Sequence, residues 1–316
     1  MKVIAITHPH QFTQDHFPEL VMALGFFDGV HKGHQIVIKN AKEIADSTHR
    51  KSAVMTFDPH PSAVLGTTTD TIRYITPLED KIAIIESLGI DYLFIVHFSK
   101  EFAAVSPEQF VDQYLVGLHV GHVVAGFDYS YGHFGKGNME TLPLYAKGRF
   151  TQTVVEKQTL EDEKVSSSRI RKTLAEGNFT EFYHLVRRHY VTKGYVIHGE
   201  KRGRKLGFPT ANIEVSDVYI FPATGVYAVR IQIEGKWYKG VCNVGYKPTF
   251  HDQQPKFPSV EVHVLGFDRN IYGSAVVVEW HKRLRSEQKF SGLEELVSQI
   301  EIDKQQAEKY FQSMNN

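Results

Sequence analysis

The chain has 316 residues, 42% hydrophobic and 23% charged, which suits two globular domains and excludes disordered, fibrous and collagen-like classes. Lys+Arg and Asp+Glu are both 36, so the formal net charge is zero. Nucleic-acid binders normally carry a basic excess, so neither DNA nor RNA is expected as the main partner.

The opening segment, Met1–Thr7, reads as a strand and lacks the apolar core of a signal peptide. Further strands are expected at Val21–Phe27, Ser52–Phe57, Tyr92–Phe98, Val123–Phe127 and Thr153–Val155. Helical patterns lie at His34–Thr48, Pro77–Leu88, Pro107–Leu118 and Ser167–Glu176. Pro77 and Pro107 each follow Thr or Ser and precede an acidic residue, the signature of a helix start. Strands alternating with helices predict a parallel sheet covered on both faces, an α/β first domain. The pattern changes near Val186–Lys193. Strands then follow at Gly194–His198, Gly225–Glu234, Trp237–Val244, Ser259–Val264 and Ala275–Lys282, with Glu234-Gly235 as a tight turn. So many short strands predict a closed antiparallel all-β barrel. Leu293–Tyr310 is an amphipathic helix with Leu293, Leu296, Val297 and Ile300 on one face, expected to pack on that barrel. The expected domains are 1–185 and 186–316. No run of about 18 apolar residues offers a membrane span, and a cytoplasmic location is expected. The single cysteine, Cys242, excludes an intramolecular disulfide and a thiolate metal cluster; its apolar neighbours point to a buried residue rather than a nucleophile.

The strongest local signal is Gly25-Phe26-Phe27-Asp28-Gly29-Val30-His31-Lys32-Gly33-His34, between a strand and a helix. Unpaired amides and the helix dipole favour an anion there, and glycines let backbone approach a phosphate. His31 and His34 are placed to donate hydrogen bonds to a phosphoryl group whose charge grows in the transition state.

This segment resembles the nucleotidyltransferases that carry a His-x-Gly-His signature, and its longer form resembles prokaryotic FAD synthetase. Thr56-Phe57-Asp58-Pro59-His60-Pro61 looks like that family's flavin-side loop. Gly126-Phe127-Asp128-Tyr129-Ser130-Tyr131-Gly132 looks like its aromatic-rich binding loop, and Ser166-Ser167-Ser168-Arg169-Ile170-Arg171 like its Ser/Thr–Arg signature. The resemblance implies a Rossmann-like domain that binds ATP through Gly25, Phe27, Gly33, Ser167, Ser168 and Arg171. Flavin contacts are implied for Phe57, His60, Pro61, Asp128 and Tyr129. Each residue also has a plainer reading: Ser166–Ser168 as a helix cap, Phe57 and Tyr129 as core, Asp58 and Asp128 as turn caps. The family's third hydroxyl is usually Thr, where this chain has Ser168.

In the second half, Gly199, Gly203 and Gly207 punctuate a basic loop that includes Lys201 and Arg204 and leads into Pro209-Thr210-Ala211-Asn212. Freed amides suit phosphates. No Gly-Lys-Ser/Thr ends the loop, so it is not a Walker A. Thr210 and Asn212 share a face if extended, and their oxygens suit Mg²⁺. This stretch resembles the riboflavin kinase signature. Agreement continues through Pro222–Ala228, Gly240–Phe250, Val260-Glu261-Val262-His263, Ile271-Tyr272-Gly273 and Leu284–Phe290. The resemblance implies a Greek-key-type barrel, Glu261 as general base, and flavin contacts from Arg285 and Glu287. Plainer readings are a strand-surface Glu261 and an Arg285/Glu287 surface ion pair. Arg187, His189 and Gly266 depart from the family's usual residues.

The whole resemblance is to the bifunctional riboflavin kinase/FMN adenylyltransferase family. It implies phosphorylation of riboflavin to FMN by the second domain and adenylyl transfer from ATP to FMN by the first. Mg²⁺ is the expected cofactor, and riboflavin, FMN and ATP the small-molecule partners. A single-activity enzyme, a flavin sensor, and adenylyl transfer to another acceptor remain the competing readings.

Overall fold

Strands with little interruption by polar residues fold as a sheet buried on both faces, and the first unit follows that rule. Its strands are β1 (Lys2–Ile6), β2 (Leu20–Leu24), β3 (Lys51–Asp58), β4 (Tyr92–His97) and β5 (Val120–Gly126). After a short hairpin of β6 (Ser130–Tyr131) and β7 (Gly137–Asn138) comes β8 (Thr151–Val155). All six longer strands pair in parallel, in the order β1-β4-β3-β2-β5-β8. The computed structural model describes residues 1–66, 72–160, 163–199, 203, 206–246 and 257–314.

Side chains alternate across the sheet with period two. Leu20, Met22 and Leu24 join one core with Met55, Phe57 and Phe94, while Val21 and Ala23 join another with Val54 and Leu93. Helix α1 (Lys32–Ser47) buries Val37, Ile38, Ala41 and Ala45 on the second face. The order reverses at β2, whose neighbours are β3 on one side and β5 on the other. In open α/β sheets ligands bind at the strand ends beside such a reversal.

Short helices α2 (Pro61–Leu65), α3 (Leu78–Ser87), α4 (Lys100–Ala103), α5 (Pro107–Phe110) and α6 (Leu142–Ala146) fill the connections. The expected helix at Pro107–Leu118 begins with a Ser106/Gln109 capping box, but past Phe110 it continues as π-helical turns over Val111–Val116. At α3 the proline is itself the cap residue. A second small hairpin joins β9 (Thr159–Leu160) and β10 (Glu163–Lys164).

By packing, the chain divides into Met1–Ser167 and Ser168–Asn316. Helices α7 (Ser167–Glu176) and α8 (Phe179–Val186) therefore group, from Ser168 on, with the second unit. Phe179 and Phe182 explain this for α8. Both are buried, Phe179 against Tyr190, Tyr227 and Trp280 and Phe182 against Tyr190.

The second unit is a closed antiparallel barrel of β11 (Tyr190–Ile197), β12 (Ala211–Val215), β13 (Gly225–Ile233), β14 (Lys236–Gly245), β15 (Ser259–Val264) and β16 (Ala275–Arg285). Its order is β11-β12-β15-β14-β13-β16, so β12 does not pair with β13, nor β15 with β16. Those two skipped pairings give the Greek-key character. Glu234 and Gly235 both take positive φ, 50° and 79°, as a tight two-residue hairpin requires.

The last helix, α9 (Leu293–Ser313), packs on β13, β14 and β16. The expected face is the one that packs, with its buried anchor further along the helix. Leu293 is exposed and Leu296, Val297 and Ile300 are half-buried, whereas Asp303, Ala307 and Phe311, four apart, are buried. Ala307 permits close approach, and Phe311 meets the His281 ring at 5.1 Å.

Candidate active site

In the first unit, strand β2 ends at Leu24, three residues earlier than expected, because the following loop leaves extended geometry. Phe27, Gly29 and Val30 have φ of 55°, 87° and 35°. Left-handed backbone at a phenylalanine and a valine is strained and persists only where the surroundings enforce it. The enforcement is visible. The Asp28 carboxylate, 2% exposed, accepts from the backbone N–H of Thr76 (3.0 Å) and Ile75 (3.3 Å). The Asp28 carbonyl accepts from Ser167 Oγ at 3.0 Å. The Phe26 carbonyl accepts from Thr56 Oγ1 at 2.8 Å and Lys81 Nζ at 2.9 Å. At Gly25 a Cβ would stand 2.7 Å from the Phe27 ring, so glycine is required there.

The loop ends at His31, the N-cap of α1, whose Nδ1 accepts from the His34 backbone N–H at 3.3 Å. A neutral ring accepting at Nδ1 carries its proton on Nε2. The His31 and His34 rings stack with centroids 3.5 Å apart and planes at 19°, and Phe27 meets His34 edge-on at 5.3 Å. Both imidazoles are thus held at the N-terminus of a 16-residue helix, where the dipole favours an anion.

These residues open onto a cavity of about 720 Å³. Its wall includes Gly25, Phe27, Gly33 and Ser167 from the expected nucleotide set, together with the expected catalytic pair His31 and His34. Phe57, Pro61, Asp128 and Tyr129 line it too. Phe57 is also packed into the core beside Phe98 and Phe102, so both readings of it describe one position. Among the described residues the buried Tyr129 hydroxyl has no hydrogen-bond partner, and burial pushes that phenol far up. Asp128 pairs with Lys164, whose ammonium also lies 4.9 Å from the Phe127 ring. His60 caps α2, its Nδ1 accepting from Ser62 N–H, with its ring edge-on to Phe26 at 4.4 Å. It is not among the cavity's wall residues. Ser168 and Arg171 belong by packing to the second unit.

In the barrel, Asn212 on β12 stands in register with Glu261 on β15, and Glu261 in register with Asn243 on β14. Directly paired residues point to one face, so the three form a polar row across three strands. Val260 and Val262, on the opposite face of β15, are buried. Asn212 is itself 9% exposed and is walled by Gly199, where a Cβ would stand 2.7 Å from Asn212 Oδ1 and closer to its Cγ and Nδ2. His263 Nδ1 donates to the Pro209 carbonyl at 2.8 Å, fixing the segment that enters β12. Thr210 lines a smaller cavity of about 170 Å³ with Val196, Val264 and Tyr272. Gly203 lies against the Phe208 carbonyl, and Gly207 has φ 86°. Lys201 and Arg204 lie outside the described residues. The Arg285 guanidinium is engaged by both carboxylate oxygens of Asp303, at 2.8–3.1 Å. Glu287 reaches over Gly245, close enough to leave a Cβ no room. Cys242 is buried, and burial pushes its thiol far up, which suits the unreactive reading.

Sequence reasoning does not find Asp28, Thr56 and Lys81 as supports of the histidine loop, nor Asn243 and His263 around the polar row. Among the described residues no group of three or more His, Cys, Asp or Glu could hold a metal ion. The side-chain oxygens of Thr210 and Asn212 are of the donor class that Mg²⁺ takes, an ion that completes its shell with water and nucleotide phosphate rather than a protein cage.

A parallel α/β unit with paired histidines at a helix N-terminus, followed by a Greek-key barrel with an Asn/Glu row, is the architecture of a two-domain nucleotide-dependent transferase. The FAD synthetase family model matches residues 13–169 and the riboflavin kinase model residues 186–311. A Bacillus subtilis relative described as bifunctional riboflavin kinase/FMN adenylyltransferase is 52% identical over 99% of both chains. One from Listeria monocytogenes with the same description is 48% identical over the full length of both. The chain belongs to the bifunctional riboflavin kinase/FMN adenylyltransferase family. It is a bifunctional transferase of FAD biosynthesis, with an FAD synthetase domain followed by a riboflavin kinase domain. A solved Streptococcus pneumoniae structure described as a macrolide-efflux protein has a TM-score of 0.86 and 32% identity, covering 96% of this chain and 98% of that one. Among the described residues of this chain, no helix is long and apolar enough to cross a membrane.

Proposed function

We propose that the two reactions use separate residue sets, His31 and His34 for adenylyl transfer and Thr210, Asn212 and Glu261 for phosphorylation. In the first, an FMN phosphate oxygen attacks the α-phosphorus of ATP and pyrophosphate leaves. The nucleophile is already anionic and needs no base. His31, with its proton on Nε2, and His34 donate to the α-phosphoryl oxygens as their charge grows. Gly25, Phe27 and Gly33 shape the phosphate path, while Ser167, Ser168 and Arg171 hold the departing pyrophosphate. Phe57, His60, Pro61, Asp128 and Tyr129 receive the flavin. The apolar wall and the buried Tyr129 hydroxyl support that assignment.

In the second reaction, Glu261 accepts the proton of the riboflavin 5′-hydroxyl, whose oxygen attacks the γ-phosphorus as ADP leaves. Thr210 and Asn212 would hold Mg²⁺, which neutralises phosphate charge in such transfers. Gly199, Lys201, Gly203, Arg204 and Gly207 border the phosphates, and Arg285 and Glu287 the flavin. We put the functional boundary at 185/186; the start of the riboflavin kinase match at residue 186 supports it. The balanced charge supports an enzyme of small molecules rather than nucleic acid, and we place it in the cytoplasm.

The observation that carries this reading is that the Asn212–Glu261 register sits in the barrel, while the stacked histidines line a cavity of the other unit. His31→Ala is expected to abolish FAD formation from FMN and leave riboflavin phosphorylation near wild type. Glu261→Gln is expected to do the reverse. Equal loss of both activities in either folded variant overturns the assignment.

A further inference from the structure

Lys81 is a charged side chain in an apolar place. It lies on α3, is 2% exposed, and among the described residues its ammonium donates to the Phe26 carbonyl (2.9 Å) and Thr56 Oγ1 (3.2 Å). The ammonium sits 4.3 Å from the Phe26 ring centroid. Among the described residues no carboxylate comes within 4.0 Å of it, so it is not half of a buried ion pair. Burying an ammonium is costly, and a leucine or methionine would fill the space without that penalty. The cost is therefore matched by something the charge does. Its shorter contact is with the carbonyl of Phe26, which opens the strained loop ending at His31.

Resting on the reading of His31 and His34 given above, we propose that Lys81 is a positioning residue for adenylyl transfer. Its buried ammonium fixes the Phe26 peptide and so sets the backbone that carries His31 to the cavity. Three elements meet at this point. Thr56, near the end of β3, donates to the same carbonyl; Asp28, one residue past Phe27, ties the loop to Ile75 and Thr76; and Thr76 stands just before α3, which carries Lys81. Lys81 thus closes a ring of contacts around a loop whose φ values would otherwise relax. A charge-assisted donor on a carbonyl is stronger and shorter than a neutral one, which accounts for an ammonium there rather than a second hydroxyl.

Burial pushes Lys81 down to about 8, while the carboxylates of Asp28 and Asp58 pull it back up. His60 and Tyr74, whose rings lie 4.4 and 6.4 Å from that of Phe26, are further titratable groups beside the same residue. The ammonium is present below that value and is lost as pH rises through it. The wild-type turnover number for FAD formation from FMN should therefore fall across pH 8, with riboflavin phosphorylation by the same preparation lacking that limb.

The test combines that pH profile with Lys81→Met, Lys81→Arg and Thr56→Val, each checked for folding by thermal melting. Lys81→Met is expected to lower kcat for FAD formation about 100-fold, as for a misplacement of about 1 Å, with KM for ATP changed little. Lys81→Arg should restore part of kcat and lack the limb near pH 8. Thr56→Val, which keeps the charge, should lose less than Lys81→Met. A folded Lys81→Met with wild-type kcat, or a wild-type profile flat from pH 7 to 9, overturns the inference. Failure of the wild type to make FAD from FMN would instead overturn the reading on which it rests.

Discussion

Gly199→Ala is a one-carbon change whose consequence follows from the geometry of Asn212. The residue does not need glycine for its backbone, since its φ lies outside the left-handed region. The added Cβ would stand 2.7 Å from Asn212 Oδ1 and closer to Cγ, short of the 3.4 Å at which ordinary contact begins. Asn212 is 9% exposed and sits on a strand paired on both sides, so the amide must turn rather than the backbone yield. On the proposed role of Asn212, a shift of about 1 Å in a group that positions a metal-bound phosphate costs on the order of 100-fold in rate. FMN formation from riboflavin should fall by about that factor, measured by chromatography at saturating ATP. FAD formation from externally supplied FMN should remain within about twofold of wild type. A Gly199→Ala enzyme that phosphorylates riboflavin at the wild-type rate would refute the placement of Asn212 in the kinase site.

Two further substitutions probe the supports of the sites. Asp28→Ala removes the acceptor for two buried backbone donors, at about 1–3 kcal/mol for each group left unmet, and should lower the melting temperature while abolishing FAD formation. Phosphorylation of riboflavin should persist below the melt. Arg285→Ala leaves the buried Asp303 without its counter-ion and with only the Gln299 amide donating to it, a loss of about 3–5 kcal/mol for such a pair, read by denaturant unfolding of the full chain. A fall in kinase activity without that loss of stability would give Arg285 to the flavin rather than to α9.

The fold is legible where local signals are strong. The apolar runs Val21–Leu24 in β2 and Leu93–Val96 in β4 are short and uninterrupted by polar residues, as strands covered on both faces are. The Glu234-Gly235 turn is legible because two left-handed residues in succession need little else. Strand β12 is not, since Pro209 and Asn212 obscure an otherwise short apolar run and its pairing partners are distant in sequence. The face of α9 is legible, but its most deeply buried part is not, because an aspartate, Asp303, lies in it and nothing local shows that Arg285 will cover it. The histidine loop stands out through its glycines and histidines. Its supports do not, because Thr56 and Lys81 are 30 and 55 residues from Phe26 and meet it only in three dimensions. Asn243 escapes for the same reason, as its link to Glu261 is a matter of strand register.

The most direct test of two sites acting in sequence is a chromatographic time course with ATP and Mg²⁺, run once from riboflavin and once from FMN. The account predicts FMN followed by FAD in the first reaction, and FAD without a lag in the second. No FAD from FMN, or no FMN from riboflavin, would contradict it.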